Sequence, residues 1–416
     1  MDTLDLSYRL TASLVGAIAR ACAKGLPEGW RVRLEAGAPE QSAPGWVWLH
    51  AVSVGELLLA DGLIGRLRTA GQRVHVSTGT PAGLDLLARR LPAWDAGTGR
   101  ISGGAFPLDD PAGLEPFLRQ SPGAFIALET ELWPGLIEAL ESRSIPRLVV
   151  NGRLTEKSLQ RGGPWLRRAA GRLTLVAARD PESAEAFRRL GAPRVELGGN
   201  LKADLPPPRP LPETWAALRS AWAGDPVLVA GNTLEGEEDL VLGIWTAVRA
   251  QVPGLRLILA PRQPRRFDAV AAELSAQGLP HRRASDPWPG EGAWRGTGIL
   301  LLDTLGDLAS AYGEGTLALV AGGWGHPGGH NPLEPVQAGV PTLVGPGFAN
   351  FADLVPPLRE AGRLQVVEAA DLEREVLARL ADSPLRPLAP KPLPEALTGA
   401  LERTWALIAP HLPPVG

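Results

Sequence analysis

The sequence predicts an α/β protein built from two successive doubly wound domains that face each other across a cleft. Short apolar runs alternate with helical stretches from Trp46 onward, which implies a parallel sheet with crossover helices. A proline-rich segment breaks the alternation near residue 205, and the same alternation then restarts. Polar and glycine clusters follow the apolar runs, at the strand ends where open α/β sheets bind ligands.

Composition supports an ordinary globular chain. At 416 residues it holds two or three domains, each able to bury a core. Hydrophobic residues at 44% and charged residues at 21% exclude a disordered protein. A net charge of −3 gives no reason to expect a nucleic-acid partner. The single cysteine, Cys22, excludes an internal disulfide and a cysteine-based zinc cluster. No stretch reaches the ~18–20 uninterrupted apolar residues of a membrane span.

In chain order, residues 4–24 suit an amphipathic helix followed by Lys24, Arg31 and Arg33. Its apolar core, 10–19, lacks a small-residue cleavage site, so no signal peptide is expected. Such a helix either lies on a membrane surface or packs on its own domain. Strands follow over 46–51, 73–77, 124–128, 147–151 and 173–178, with helices over 57–70 and 80–91. Leu205-Pro206-Pro207-Pro208-Arg209-Pro210-Leu211-Pro212 continues neither helix nor central strand and reads as a stiff linker. Strands then recur over 227–231, 255–259, 298–302, 317–321 and 340–345, with a helix over 235–251. Residues 283–297 read as an irregular excursion, and 393–407 as a closing helix before a loose tail. The expected domains are 1–205 and 213–390, with 391–416 as terminal helix and tail.

Several strand-end clusters carry chemistry. Ser53-Val54-Gly55-Glu56 and Glu129-Thr130-Glu131 follow strands in the first half. Paired carboxylates there orient hydroxyls or move protons, unless Glu131 merely caps the next helix. In the second half, Gly231-Asn232-Thr233 leads into an acidic first turn, Glu235-Gly236-Glu237-Glu238. Pro261-Arg262-Gln263-Pro264-Arg265-Arg266 follows a strand, and its guanidinium groups suit a phosphate or carboxylate. The densest cluster is Gly322-Gly323-Trp324-Gly325-His326-Pro327-Gly328-Gly329-His330-Asn331-Pro332-Leu333-Glu334-Pro335. Asn331 is expected to N-cap a short helix, with Pro332 at its first position and Glu334 three residues after the cap. The loop is an anion cradle or simply a capping box on a tight turn. No Gly-x-Gly-x-x-Gly fingerprint follows the first strand, which argues against a dehydrogenase, and the Walker lysine motif and a metal-holding Asp-x-Asp are absent, so a metal-free nucleotide site is expected.

The order of these motifs resembles the Kdo (3-deoxy-D-manno-octulosonic acid) transferase family. The similar runs are His50-Ala51-Val52-Ser53-Val54-Gly55-Glu56, Ser77-Thr78-Gly79-Thr80-Pro81, Glu129-Thr130-Glu131-Leu132-Trp133-Pro134 and Asn151-Gly152-Arg153-Leu154. They continue with Gly199-Asn200-Leu201-Lys202, Glu235 to Glu238, Pro261 to Phe267, Asp303-Thr304-Leu305-Gly306 and Gly328 to Pro335. The resemblance covers residues 46–375. It implies the GT-B glycosyltransferase fold, two Rossmann-like domains, and an inverting transfer that needs no metal and no cofactor. The implied donor is CMP-Kdo and the implied acceptor a lipid A-type glycolipid. The implied location is peripheral, at the cytoplasmic face of the inner (plasma) membrane, with the N-terminal helix as the membrane-associating element. Donor contacts are implied for Arg262, Gly328, Gly329, His330, Asn331, Glu334, Gly231, Thr233 and Lys202, with Glu334 on the ribose and Arg262 on the phosphate. Acceptor contacts are implied for Ser53, Gly55, Glu56 and Arg153.

One departure bears on the chemistry. The family carries a Glu-Arg-Phe/Leu-Gly run near residue 30, whose glutamate serves as base. Here Trp30-Arg31-Val32-Arg33-Leu34-Glu35 puts Val32 in that slot, and valine cannot take a proton. Glu35 and Glu131 are the catalytic carboxylates expected in its place, with Glu28 a further alternative. Another nucleotide-sugar donor on the same fold, or a binding homologue with impaired catalysis, are the alternative readings.

Overall fold

The computed structural model describes residues 3–39, 44–161, 163–205, 211–382 and 392–415. The chain forms two compact units: one takes the chain up to Leu205 and again from Thr398, the other takes Pro206–Leu397. Residues 206–210 of the expected linker, and the expected boundary between 390 and 391, lie outside the described residues.

In the first unit, helices α1 (Thr3–Ala21) and α2 (Glu28–Leu34) precede a parallel sheet. Its strands are β1 (Trp46–His50), β2 (Val74–Thr78), β3 (Ile101–Ala105), β4 (Pro122–Leu128), β5 (Arg147–Gly152), β6 (Leu175–Ala178) and β7 (Val195–Leu197). The order is β3-β2-β1-β4-β5-β6-β7, with every pairing parallel. Strand alternation sorts β1 between two faces. Val47 and Leu49 join the core under α3 (Val54–Thr69) and α4 (Pro81–Asp95). Trp46 and Trp48 turn to the side of α5 (Pro111–Arg119) and α6 (Pro134–Glu141), where Trp48 stacks on Phe117 at 4.8 Å. Each fully buried large side chain stabilises the unit by about 1.5–3 kcal/mol relative to exposure. Ser53, Thr80 and Asp110 start α3, α4 and α5 by accepting from the N–H three residues on.

Helix α1 does two things at once. Its buried side is tied down by polar contacts: Asp5 takes Arg168 at 3.0 Å and Arg172 at 2.6 Å, and Arg20 takes Asp110 through both nitrogens at 2.8 and 2.9 Å. The two guanidinium groups, Arg172 foremost, hold the Asp5 carboxyl down at about 2. Its other side leaves Leu10, Leu14 and Ile18 at 62%, 62% and 55% exposure, at helical spacing, with Val15 and Trp30 of α2 also exposed. The helix therefore packs on its own domain and still presents an apolar stripe. No helix among the described residues is long and apolar enough to cross a membrane.

The second unit repeats the plan. Its strands are β8 (Val227–Thr233), β9 (Arg256–Pro261), β10 (His281–Arg283), β11 (Ile299–Leu301), β12 (Leu317–Val320), β13 (Thr342–Val344) and β14 (Leu364–Val366). The order is β10-β11-β9-β8-β12-β13-β14, again parallel throughout. The expected excursion contains a short helix, Glu291–Arg295, and is pinned by tryptophans: Trp288 lies 5.1 Å from Trp294 and 5.0 Å from Trp215. The closing helix runs over Ala400–Ile408, starting later than expected, and returns to the first unit's core. There the Asp204 carboxylate accepts from the Gly399 N–H at 2.9 Å and the Leu401 N–H at 2.6 Å.

Candidate active site

In each sheet the strand order has a central switch, between β1 and β4 in the first and between β8 and β12 in the second. Ligand crevices of open α/β sheets form at such switch points, outside the strand C-termini. The first unit brings His50, Glu56 and Glu131 to its switch point. β1 ends at His50, and the turn after it is a capping box. Ser53 Oγ donates to Glu56 Oε1 at 2.9 Å, and Glu56 Oε2 accepts the Val52 N–H at 2.8 Å. Ser53 and Glu56, expected to meet the acceptor, are thus already bonded to each other. Gly55 is exposed in the first turn of α3. β4 is followed by Glu129, whose φ of +57° is unusual for a residue with a side chain. That left-handed step turns the chain, and Glu131 then lies with its Oε2 4.0 Å from His50 Nε2. Arg153 is half-buried nearby in sequence, and its carbonyl accepts from the Thr130 hydroxyl.

Aromatic rings wall this corner. The His50 ring stacks on Phe106 at 3.8 Å, and Phe106 meets Trp133 at 5.2 Å. The Arg33 guanidinium lies 4.5 Å from the Trp133 ring centroid and donates to the Pro107 carbonyl at 2.8 Å. Burial pushes the Glu131 carboxyl up to about 7, and the neighbouring Glu56 and Glu129 charges add to it against the Trp133 side chain and Arg33. Burial also raises Glu56, and it lowers His50 to about 3. The imidazole is therefore neutral, and its contact with Glu131 is not an ion pair. Glu35, the other expected base, is exposed at the C-terminal end of α2. Of the two candidates, only Glu131 has the burial and neighbours that tune a carboxyl toward neutral pH.

The second unit assembles the glycine loop by a different device. Glu237, buried in the first turn of the helix Glu237–Gln251, accepts the N–H groups of Gly322 at 2.8 Å, Trp324 at 2.9 Å and Leu234 at 2.9 Å. Glu238, also buried, is held by Thr233 Oγ1 at 3.2 Å and Arg266 at 3.3 Å. Thr233 thus serves Glu238, and the space beside Gly231 is filled: a Cβ there would stand 2.0 Å from the Tyr312 hydroxyl. Gly329 has a φ of +66°, and a Cβ on it would come within 2.8 Å of the Gly347 carbonyl. A Cβ on Gly328 would meet Asn350 Nδ2 at 2.6 Å. The loop's glycines are therefore required by its own packing.

The helix after the loop spans Leu333–Gln337, so Pro332 takes the cap position expected of Asn331. Asn331 instead makes an Asx turn, Oδ1 accepting the Leu333 N–H at 3.2 Å, while its Nδ2 donates to Glu334 Oε1 at 3.2 Å. The reciprocal bond of a capping box is absent: Glu334 meets the Asn331 side chain and not its backbone N–H. Burial, reinforced by the Arg262 charge, lowers His330 to about 4. Arg262 itself is exposed just past β9, its N–H donating to the Thr233 carbonyl at 2.9 Å. Lys202, expected among the donor contacts, belongs to the first unit, in the turn Leu201–Asp204 that Asn200 caps. Sequence reasoning did not single out Glu237 or His50. Both stood inside named motifs, but only their burial marks them.

Comparison with known proteins adds an independent line. The family model described as 3-deoxy-D-manno-octulosonic-acid transferase (kdotransferase) matches residues 28–205. A 3-deoxy-D-manno-octulosonic acid transferase of Haemophilus influenzae is 34% identical over 384 residues, spanning 89% of this chain and 88% of the relative. One of Bordetella pertussis is 34% identical over 331 residues, spanning 76% and 74%. Among solved structures, UDP-GlcNAc 2-epimerase from Neisseria meningitidis superposes with a TM-score of 0.54 at 14% identity, covering 88% of this chain and 99% of the other. That likeness carries the fold, the two-domain GT-B arrangement. With motifs running colinearly from residue 46, identity across most of the chain and carboxylates at both switch points, the protein belongs to the 3-deoxy-D-manno-octulosonic acid transferase family.

Proposed function

We propose that the protein transfers Kdo from CMP-Kdo to a lipid A-type glycolipid, with Glu131 as the base that replaces the glutamate lost at Val32. The observation carrying this is the Glu131 carboxyl at the β1–β4 switch point, raised by burial to about 7 among Glu56, His50 and Arg33. A base poised near neutral pH is half ionised there and still basic enough to draw a proton. The acceptor hydroxyl loses its proton to Glu131 as its oxygen bonds to the anomeric carbon. The bond from that carbon to phosphate breaks, and CMP leaves with the electron pair. Attack opposite the leaving group inverts the centre. In the second unit, Arg262 and the loop Gly328–Asn331 are assigned to the phosphate and Glu334 to the ribose. The apolar stripe of α1, with Arg9 and Arg31 near it in sequence, suits a peripheral stay at the cytoplasmic face of the inner membrane.

The test is release of CMP from CMP-Kdo by the purified protein with a lipid IVA-type acceptor in detergent. Release that depends on the acceptor is expected, and its absence overturns the proposal. Val32 favours one other reading, a homologue that binds nucleotide without transfer. It predicts that CMP raises the melting temperature while no product forms.

A further inference from the structure

His50 is buried with both ring nitrogens in defined surroundings. Nδ1 lies 3.0 Å from the Ser77 carbonyl oxygen and 3.1 Å from Ser77 Oγ, and the latter already accepts from Trp48 Nε1 at 2.8 Å. A carbonyl oxygen only accepts, so Nδ1 must be the protonated nitrogen, donating to it. That tautomer leaves Nε2 as a bare lone pair. Among the described residues, Nε2 has no hydrogen-bond partner, although it is fully buried. The polar atom it faces is Glu131 Oε2, at 4.0 Å. Two lone pairs face one another, an arrangement that a proton between them would relieve.

We propose that His50 is a positioning residue whose Nε2 accepts a hydrogen bond from the protonated form of Glu131, holding that carboxyl once it has taken the acceptor's proton. The inference rests on the reading of Glu131 as base. The imidazole neither gains nor loses a proton: the hydroxyl's proton resides on Glu131, and His50 supplies the lone pair that receives it. Closing to hydrogen-bond length needs Oε2 to move by roughly 1 Å, a rotation within reach of a glutamate side chain. The charged groups facing Glu131 are Glu56 of α3, Glu129 at the end of β4 and Arg33 of α2. Glu56 and Glu129 are acceptors too, Glu56 already holding Ser53 and Val52, while Arg33 only donates; His50 Nε2 is the neutral acceptor within 4.0 Å of Oε2, on a ring fixed by Ser77.

The decisive measurement is the titration of Glu131 by carboxyl carbon NMR in glutamate-labelled protein, with Glu131→Gln identifying its signal. His50→Asn keeps a donor for Ser77 and loses the acceptor. The expected midpoint falls by roughly half to one pH unit, the worth of one hydrogen bond to the neutral acid. His50→Gln, whose amide oxygen reaches the Nε2 position, is expected to restore it, and the pH profile of kcat/KM should move in step. An unchanged midpoint in His50→Asn, or an equal shift in both variants, overturns the proposal. Imidazole nitrogen shifts in the unaltered protein decide it without a variant: Nε2 unprotonated across pH 5 to 9 supports it, and a proton on Nε2 ends it. Wild-type transfer by Glu131→Gln would remove the base reading alone, while the titration would still report on the pair.

Discussion

The two units share a switch-point plan but treat their buried carboxylates in opposite ways. In the second unit Glu237 receives three backbone N–H groups, and Glu238 is met by Thr233 and Arg266. In the first, Glu131 is half-buried beside another carboxylate, an aromatic wall and the lone pair of a neutral histidine. A carboxylate whose lone pairs are satisfied fixes backbone, here the glycine loop. One left in tension with its surroundings has a shifted pKa and is available for proton transfer. The difference separates architecture from chemistry more sharply than residue type does.

Removing each carboxylate tests that separation. Glu131→Gln should lower kcat by roughly 10²–10⁴-fold, the usual contribution of a general base, with little change in melting temperature. Steady-state CMP release and a thermal melt on the same sample check both halves. Glu237→Ala should do the reverse. It strands two buried N–H groups and one part-buried one at a cost of about 3 kcal/mol, visible as a melting temperature lowered by roughly 6–12 °C together with weakened CMP binding. If Glu237→Ala melts normally, the satisfied carboxylate is not what holds the loop.

The pH dependence sharpens the same contrast. If Glu131 is the base, it works as the carboxylate, so kcat/KM should rise through pH of about 7 and level above it. The residual activity of Glu131→Gln should lack that limb. A smaller effect is expected at Asp5. Its folded-state carboxyl is depressed to about 2, so its contribution is complete above the unfolded value near 4 and is lost as pH falls from about 4 to about 2. Asp5→Asn should cost about 1 kcal/mol at pH 7, discounted for solvent around Arg168, and only a small part of that at pH 2, where the folded carboxyl is half protonated. Melts at the two pH values check it.

Much of the fold is legible in sequence because buried parallel strands are continuous apolar runs. The four strands the sequence hides, β3, β7, β10 and β14, are the four sheet edges. Edge strands are covered on fewer sides, so Ile101-Ser102-Gly103-Gly104-Ala105 and His281-Arg282-Arg283 carry no apolar signature. The excursion 283–297 looked irregular because its order comes from tryptophan packing, which has no period. At the site, motif order reaches the strand ends that flank the switch points but not the orientation of side chains. Nothing in Glu235-Gly236-Glu237-Glu238 says which carboxylate turns inward. Glu131 and Glu35 were equal on paper, and only burial parts them.

The return of the last helix to the first unit has a consequence for biogenesis. Ala400 and Ile408 fill a core begun near residue 47, and Asp204 must wait for Gly399 before its carboxylate is engaged. On a ribosome, domains usually close in the order they emerge. Here the first-made domain stays unfinished until the second has been translated whole, so its exposed core edge must be shielded through that interval, and loss of the final helix would be felt in the half of the molecule synthesised first.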